Sequence, residues 1–174
     1  DTVRFHPASA SERSAARARF GLPPDAGVIA YTGRLLRGKG LEDLLAAFAT
    51  VAAEVPSAHL LVVGSGAGQA LSVEEDLRAI VLREGLGARV TFTGRLDDVS
   101  EALRAADVFA FPSVFEALGI SLIEAAATGL PAVGARTGGI VDVIEDGASG
   151  WLVDPGDVAA LAARLRALVL DPAA

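Results

Sequence analysis

The sequence predicts an α/β chain built on a doubly wound, parallel, six-stranded sheet. Three observations carry that prediction. Short apolar runs alternate with segments of helical period along the 174-residue chain. The runs are continuously apolar rather than alternating, as strands buried on both faces must be. Glycine-bearing turns follow most of the runs and lead into helices, as in successive βαβ units.

Residues 1–26 read as a lead-in. "ASASERSAARARFGLPP" offers a serine cap, a short helix to about Phe20 and a Gly-Leu-Pro-Pro stop. "GVIAYTG" (27–33) is the first buried strand. "GLEDLLAAFATVAAEVP" sets Leu41, Leu44, Leu45, Phe48 and Val51 at helical spacing and ends at Pro56. "AHLLVVGSG" (58–66) is the second strand. "LSVEEDLRAIVLREGLG" reads as an amphipathic helix, with Ser72 as N-cap and Glu75 completing a capping box. "RVTFTG" (89–94) is the third strand. There follow "DVSEALRAA" as helix, "DVFAFPS" as strand, "GISLIEAAATG" as helix and "PAVGA" as strand. "GGIVDVIEDG" is a short helix, "GWLVDP" the last strand and "GDVAALAARLRALVL" the closing helix. Neither an internal repeat nor a low-complexity linker interrupts the series, so residues 1–174 read as one domain.

Composition narrows the function. The chain is 52% hydrophobic, enough for a sizeable core. No run of 18 apolar residues occurs, so no transmembrane helix is expected, and the N-terminus lacks a signal-peptide pattern. Without cysteine there are no disulfides, thiolate metal sites or cysteine nucleophiles. The expected setting is cytoplasmic, with membrane-peripheral attachment of a longer protein left open. His6 and His59 are far apart in sequence, which argues against a zinc site or a triad. The net charge is −7, from 22 acidic and 15 basic residues, with no basic stripe to attract nucleic acid. Lys39 is the only lysine, and methionine is absent, as expected of a piece of a longer chain.

Doubly wound sheets bind ligands beyond the carboxyl ends of their strands, so the residues after each strand are the candidates. "TGRLLRGKG" after the first strand supplies Gly33, Arg34, Arg37 and Lys39 ahead of a helix. Free N–H groups and the positive end of the dipole suit an anion there. Each charge-assisted bond to phosphate contributes roughly 1.5–3 kcal/mol. The alternative is a solvated basic loop. The GxxxxGK[ST] pattern of a P-loop is absent. "GSGAG" after the second strand is an incomplete GxGxxG, which a tight turn explains better. "TGRLDD" after the third brings Gly94 and Arg95 to the same edge, as a base or phosphate contact or as a surface salt bridge. "GARTGGIVDVIEDG" after the fifth offers Thr137, Gly138 and Gly139 as a backbone site for an anion or hydroxyls, or as a tight turn.

The stretch after the fourth strand is the most informative. "SVFEALGISLIEAAATGLPAVG" is mostly apolar, yet it holds Glu116 before a helix and Glu124 inside it. On one continuous helix eight residues span about 12 Å, against roughly 5–9.5 Å between glycosidase carboxyl groups. That disfavours a hydrolytic pair. Ionised carboxylates accept hydrogen bonds well from sugar hydroxyls. Backbone N–H groups near Leu118, Gly119 and Ile120 suit hydroxyls or an anion. Burying Glu124 among its apolar neighbours without a partner would be costly. The alternative is two solvated charges.

Together these blocks resemble the C-terminal, donor-binding domain of retaining GT-B glycosyltransferases, the family 4 or group 1 type. The resemblance runs from "DTVRFHP" to "GWLVDPGD". It passes through "GRLLRGKGLEDLLAAF", "VTFTGRLDDVSEALRAADVFAFPS" and "FEALGISLIEAAATGLPAVGARTGGIVDVIEDG". It implies a Rossmann-like domain forming one half of a GT-B architecture. Arg34 and Lys39 would hold the donor diphosphate and stabilise the leaving group. Glu116 would contact hydroxyls of the donor sugar. The amides of Ala117, Leu118, Gly119 and Ile120 would bind the sugar and distal phosphate, and Glu124 the ribose. Gly33, Gly94 and Arg95 would complete the donor site, the last two beside the base. Arg34, Lys39 and Glu116 are thus the catalytic candidates.

The substrate implied is a nucleoside diphosphate sugar, with UDP the expected nucleotide and no metal or other cofactor. Glu116-Ala117-Leu118-Gly119 departs from the Glu-Gly-Phe-Gly common in the family, which leaves the donor preference open. The resemblance also implies an N-terminal acceptor domain as partner, which this chain lacks. The chain alone is expected to bind nucleotide, to turn over poorly or not at all, and to expose an apolar interdomain face open to self-association. Two other functions fit the fold. One is a non-catalytic nucleotide-sugar-binding or assembly module. The other is a sugar-nucleotide epimerase, whose acid and base residues are not found here.

Overall fold

Ser9 and Glu12 open the first helix, α1 (Ala10–Arg19), with a reciprocal capping box. The Glu12 amide donates to Ser9 Oγ at 3.3 Å, and the Ser9 amide to Glu12 Oε2 at 2.9 Å. Two of the helix's free N–H groups are so satisfied. The computed structural model describes residues 1–171. The elements that follow are β1 (Gly27–Thr32), α2 (Leu41–Glu54), β2 (Ala58–Val63), α3 (Glu74–Arg83), β3 (Val90–Gly94) and α4 (Ser100–Ala105). Then come β4 (Val108–Phe111), α5 (Ile120–Ala127), β5 (Ala132–Ala135), a 3₁₀ turn (Gly138–Asp142), β6 (Gly150–Val153) and α6 (Val158–Leu170). Six parallel strands form one sheet in the order β3-β2-β1-β4-β5-β6, the doubly wound architecture expected.

β1, β4 and β5 are buried almost throughout, which is why their sequences are apolar without alternation. Tyr31, Phe48, Phe109 and Ile29 are the largest fully buried side chains. α2 packs between α3 and α6 in one layer, α1 packs on α4, and α5 lies over β4 and β5. β1 sits between β2 and β4, yet the chain reaches β4 only after β3. The windings on either side of that boundary run in opposite directions. A crevice opens there at the carboxyl edge, between the loops after β1 and β4.

The lead-in belongs to the body of the fold. Phe5, Ala16 and Leu22 are buried. Arg17, 7% exposed, forks across the amino edge of the sheet. Its Nε donates to Ala105 O at 3.1 Å and its Nη2 to Asp107 Oδ2 at 2.7 Å. The same Oδ2 accepts the Val28 amide at 2.8 Å, and Arg13 holds Oδ1. One carboxylate thus ties α1 to the starts of β1 and β4.

One expected cap is misplaced. α3 begins at Glu74, and Glu75 makes no return bond to Ser72. Ser72 Oγ accepts the Glu74 amide at 3.3 Å, two residues on. The reason is Val73, which is 2% exposed and donates its amide to Leu35 O at 3.0 Å. That bond holds the chain out of the helix for one more residue.

Candidate functional site

The loop after β1 is pinned from below. Leu35 is fully buried, its amide donates to Ser65 O at 3.3 Å, and the Arg37 amide donates to Leu71 O at 2.9 Å. Gly33 closes the strand by donating to Val63 O at 3.0 Å. The Tyr31 hydroxyl donates to Arg34 O at 3.1 Å. Burial, aided by the Glu116 charge, pushes the Tyr31 pKa up, so this hydroxyl stays a donor. The pinned loop turns Arg34 and Arg37 outward. Both guanidinium groups are free of hydrogen bonds and ion pairs among the described residues.

The loop after β4 leans on two glycine contacts. A Cβ on Gly40 (φ 66°) would meet Pro112 O at 2.1 Å. One on Gly138 (φ 48°) would meet Glu116 O at 1.9 Å. The Gly139 amide donates to Glu116 O at 3.0 Å, Thr137 Oγ1 to Val114 O at 3.2 Å, and the Val114 amide to Gly38 O at 3.0 Å. These contacts bring the two loops together. Lys39 Nζ then reaches Glu116 Oε2 at 2.9 Å, with both side chains about four-fifths covered.

Glu116 also accepts the Ala117 amide at Oε1, 3.2 Å away, and the nearby Gly119 amide helps to keep the carboxylate charged. Burial alone would push its pKa up. The Lys39 hydrogen bond and charge, with the two amides, outweigh that and hold it below the usual glutamate value. Arg34, Lys39, Glu116 and residues 117–121 line a cleft of about 430 Å³ over the stacked rings of Tyr31 and Phe111. α2 and α5 start beside it at Gly40 and Gly119, without side-chain caps. Their first N–H groups face no protein partner of that kind. Phe115, Leu118 and Ile120 are 77%, 56% and 65% exposed around this loop, an apolar rim of the expected sort.

The remaining predicted residues lie elsewhere. Glu124 is half-buried on α5 and has no hydrogen-bond or ion-pair partner among the described residues. Burial raises its pKa and Asp98 adds to the rise, while Arg4 and the N-terminal amine oppose it. Gly94 ends β3 and Arg95 follows it, two strands from β1, and neither lines the cleft. The Arg95 side chain is 84% exposed and meets only Asp97, at 3.9 Å.

Arg4 escaped the sequence reading. Its Nε donates to Asp98 Oδ1 at 3.0 Å and its Nη2 to Asp97 O at 3.2 Å. Asp98 Oδ1 in turn accepts the Ser100 amide at 2.8 Å. Burial would raise the Asp98 pKa, but Arg4 and Ser100 bring it down to about 2. Arg4 therefore pins the β3–α4 loop beside Glu124. Ninety-four residues separate Arg4 from Asp98, and no local pattern signals the contact.

Two further loops are self-satisfied. Gly66 N and Ser65 Oγ both donate to the Glu74 carboxylate, so "GSGAG" is a tight turn. Thr137 and Gly139 spend their donors on the β4–α5 loop rather than on a ligand. Among the described residues no group of three or more His, Asp or Glu is placed to hold a metal ion. No helix among them is long and apolar enough to cross a membrane.

Known proteins share this fold. The family model for glycosyl transferases group 1 matches residues 12–174. D-inositol 3-phosphate glycosyltransferase 2 of Catenulispora acidiphila is 38% identical over 174 residues, covering 95% of this chain and 40% of that protein. The chain thus spans well under half the length of that relative. HepE of Anabaena, solved in complex with UDP and glucose, superposes with a TM-score of 0.89. It is 28% identical, over 98% of this chain and 45% of its own. The C-terminal domain of LpcC, a glycosyl transferase group 1 family protein of Francisella tularensis, superposes with a TM-score of 0.86 at 25% identity. That match covers 98% of this chain and 88% of the LpcC domain. This chain belongs to the glycosyl transferases group 1 family, and its six-stranded sheet is the Rossmann-like sheet of a GT-B glycosyltransferase.

Proposed function

We propose that this chain is the donor-binding domain of a retaining glycosyltransferase, which moves a hexosyl group from a nucleoside diphosphate sugar to an acceptor. One observation carries the reading. Lys39 and Glu116, from the loops after the two strands that flank the switch point, meet in one cleft with unpaired Arg34 and residues 117–119 at the start of α5. An anion and a polyhydroxyl group need that combination side by side. As the bond between the sugar and the diphosphate oxygen breaks, its electron pair moves to that oxygen. Lys39, Arg34 and the helix-start amides stabilise the charge, without a metal. Glu116 holds the sugar hydroxyls and Glu124 the ribose. Gly94 and Arg95 flank the base at the far end of a long ligand.

UDP is the proposed nucleotide, supported by HepE, whose structure holds UDP and glucose. The acceptor site belongs to a preceding domain that docks on the apolar rim, and the enzyme works in the cytoplasm. Without that domain the chain binds nucleotide but is nearly inactive. Calorimetric titration with UDP, GDP, ADP and their sugars tests this. One nucleotide should bind in the micromolar-to-millimolar range, and Glu124→Ala should weaken it by about 1.5–3 kcal/mol. Sugar transfer by the 174-residue chain at ordinary enzyme rates would contradict the missing-domain part.

A further inference from the structure

The Lys39–Glu116 pair raises a question that the donor site alone does not answer. Glu116 engages Lys39 Nζ and the Ala117 amide at once, with the Gly119 amide close by. These are positive and N–H donors of the kind a phosphate takes. The carboxylate of Glu116 therefore occupies, inside the protein's own site, the place of an anion. Its neighbours fix it there from several directions. Gly139 holds its carbonyl, Gly138 leaves no room for the loop to shift towards it, and Val114 ties the loop to Gly38. Arg34 and Arg37, by contrast, have no acidic partner among the described residues. Of the two cations that line the cleft, the protein neutralises Lys39, the better covered, and leaves Arg34 free.

We infer that Glu116 is a specificity-determining residue that makes the site favour an intact nucleoside diphosphate sugar over the free nucleoside diphosphate. The inference rests on the donor-binding reading above. A diphosphate drawn to Lys39 competes with the carboxylate for the ammonium, and where the carboxylate yields it loses the charged partner it had. If the ligand ends at the diphosphate, Glu116 is left partly covered with no compensating donor, and binding is weaker by that amount. If the ligand continues into a sugar, its hydroxyls donate to the displaced carboxylate and restore the lost bonds. The two ends of the donor are thereby coupled through one side chain. Free nucleotide, the product left after sugar transfer, meets a competitor that intact donor does not.

The sign of the prediction is the opposite of what removal of a binding residue usually gives. Glu116→Gln keeps the shape and removes the competing charge. It should bind UDP and inorganic pyrophosphate about threefold to fivefold more tightly than the unaltered chain, the scale of a solvent-accessible ion pair. It should not bind UDP-glucose more tightly, so the ratio of UDP to UDP-glucose affinity shifts towards UDP. Glu116→Ala repeats the test without any side-chain acceptor. In Lys39→Ala the added Glu116→Gln change should no longer tighten UDP. Titration calorimetry reads all of these, with circular dichroism to check folding. If Lys39→Ala weakens UDP but Glu116→Gln and Glu116→Ala leave it unchanged or weaker, the inference is wrong and the donor-binding reading survives. If Lys39→Ala and Glu124→Ala both bind UDP, GDP and ADP like the unaltered chain, the donor-binding reading fails and takes the inference with it.

Discussion

Two ion pairs stand at opposite ends of the same two strands. At the amino edge, Asp107 precedes β4 and takes Arg17, Arg13 and the Val28 amide on its two oxygens. At the carboxyl edge, Glu116 follows β4 and takes Lys39 and the Ala117 amide. The partners are chosen differently. Arginine offers a rigid planar fork, and Arg17 spends it on three protein oxygens, those of Ala105, Pro24 and Asp107. Lysine is a single rotatable ammonium with three donors, and Lys39 gives only one to the protein. The first pair is saturated and serves the fold. The second is complete only for as long as no better partner arrives.

Breaking the saturated end should have the largest effect. Asp107→Ala leaves the Arg17 guanidinium buried without its carboxylate, and such a loss costs about 3–5 kcal/mol. Urea unfolding should record that drop. A change under about 1 kcal/mol would mean that the two ends do not differ in kind. Nucleotide affinity, measured where the variant remains folded, should hardly move, because the cleft lies at the other edge.

Lys39→Ala should invert that profile. The pair is partly exposed, so its stability effect is about 0–1 kcal/mol. Its effect on nucleotide binding should be larger, about 1.5–3 kcal/mol, because a charged hydrogen bond to the diphosphate is lost. A large fall in stability with unchanged affinity would assign Lys39 to the fold instead.

The contrast also explains what the sequence disclosed. The strands were legible because burial on both faces forces continuous apolar runs, as in "GVIAYTG" and "DVFAFPS". Lys39 and Glu116 were legible singly, since each follows a strand in a doubly wound pattern. Their pairing was not, because it joins residues 77 apart and depends on β1 and β4 being neighbours. Arg4 and Asp107 were invisible for the same reason. Their partners lie far along the chain, and neither sits in a local motif. The Ser72–Glu75 box failed for a subtler reason. The spacing was right, but a tertiary bond from Val73 to Leu35 decided where the helix begins. Local propensity yields to tertiary contacts when the two disagree.

The smallest effect should come from the second acid of the same stretch, and it has the opposite sign from the first. Burial holds the Glu124 pKa above its ordinary value of 4.5, and among the described residues none donates to its carboxylate. A group raised in this way adds stability below its unfolded pKa, and that contribution is lost as pH rises through the native pKa. Glu116 is lowered, so it adds stability above its unfolded pKa, and that contribution is lost as pH falls through the native value. At neutral pH Glu124→Gln should therefore stabilise the chain slightly, by about 0.5 kcal/mol or less. Glu116→Gln should destabilise it. Lowering the pH below the ordinary glutamate value should shrink both differences. Denaturation of the two variants across that range reads the prediction directly. Equal shifts of one sign would mean that the two acids share an environment. Opposite shifts would mark Glu124 as a carboxylate that the fold keeps at a cost, as a residue reserved for a ligand should be.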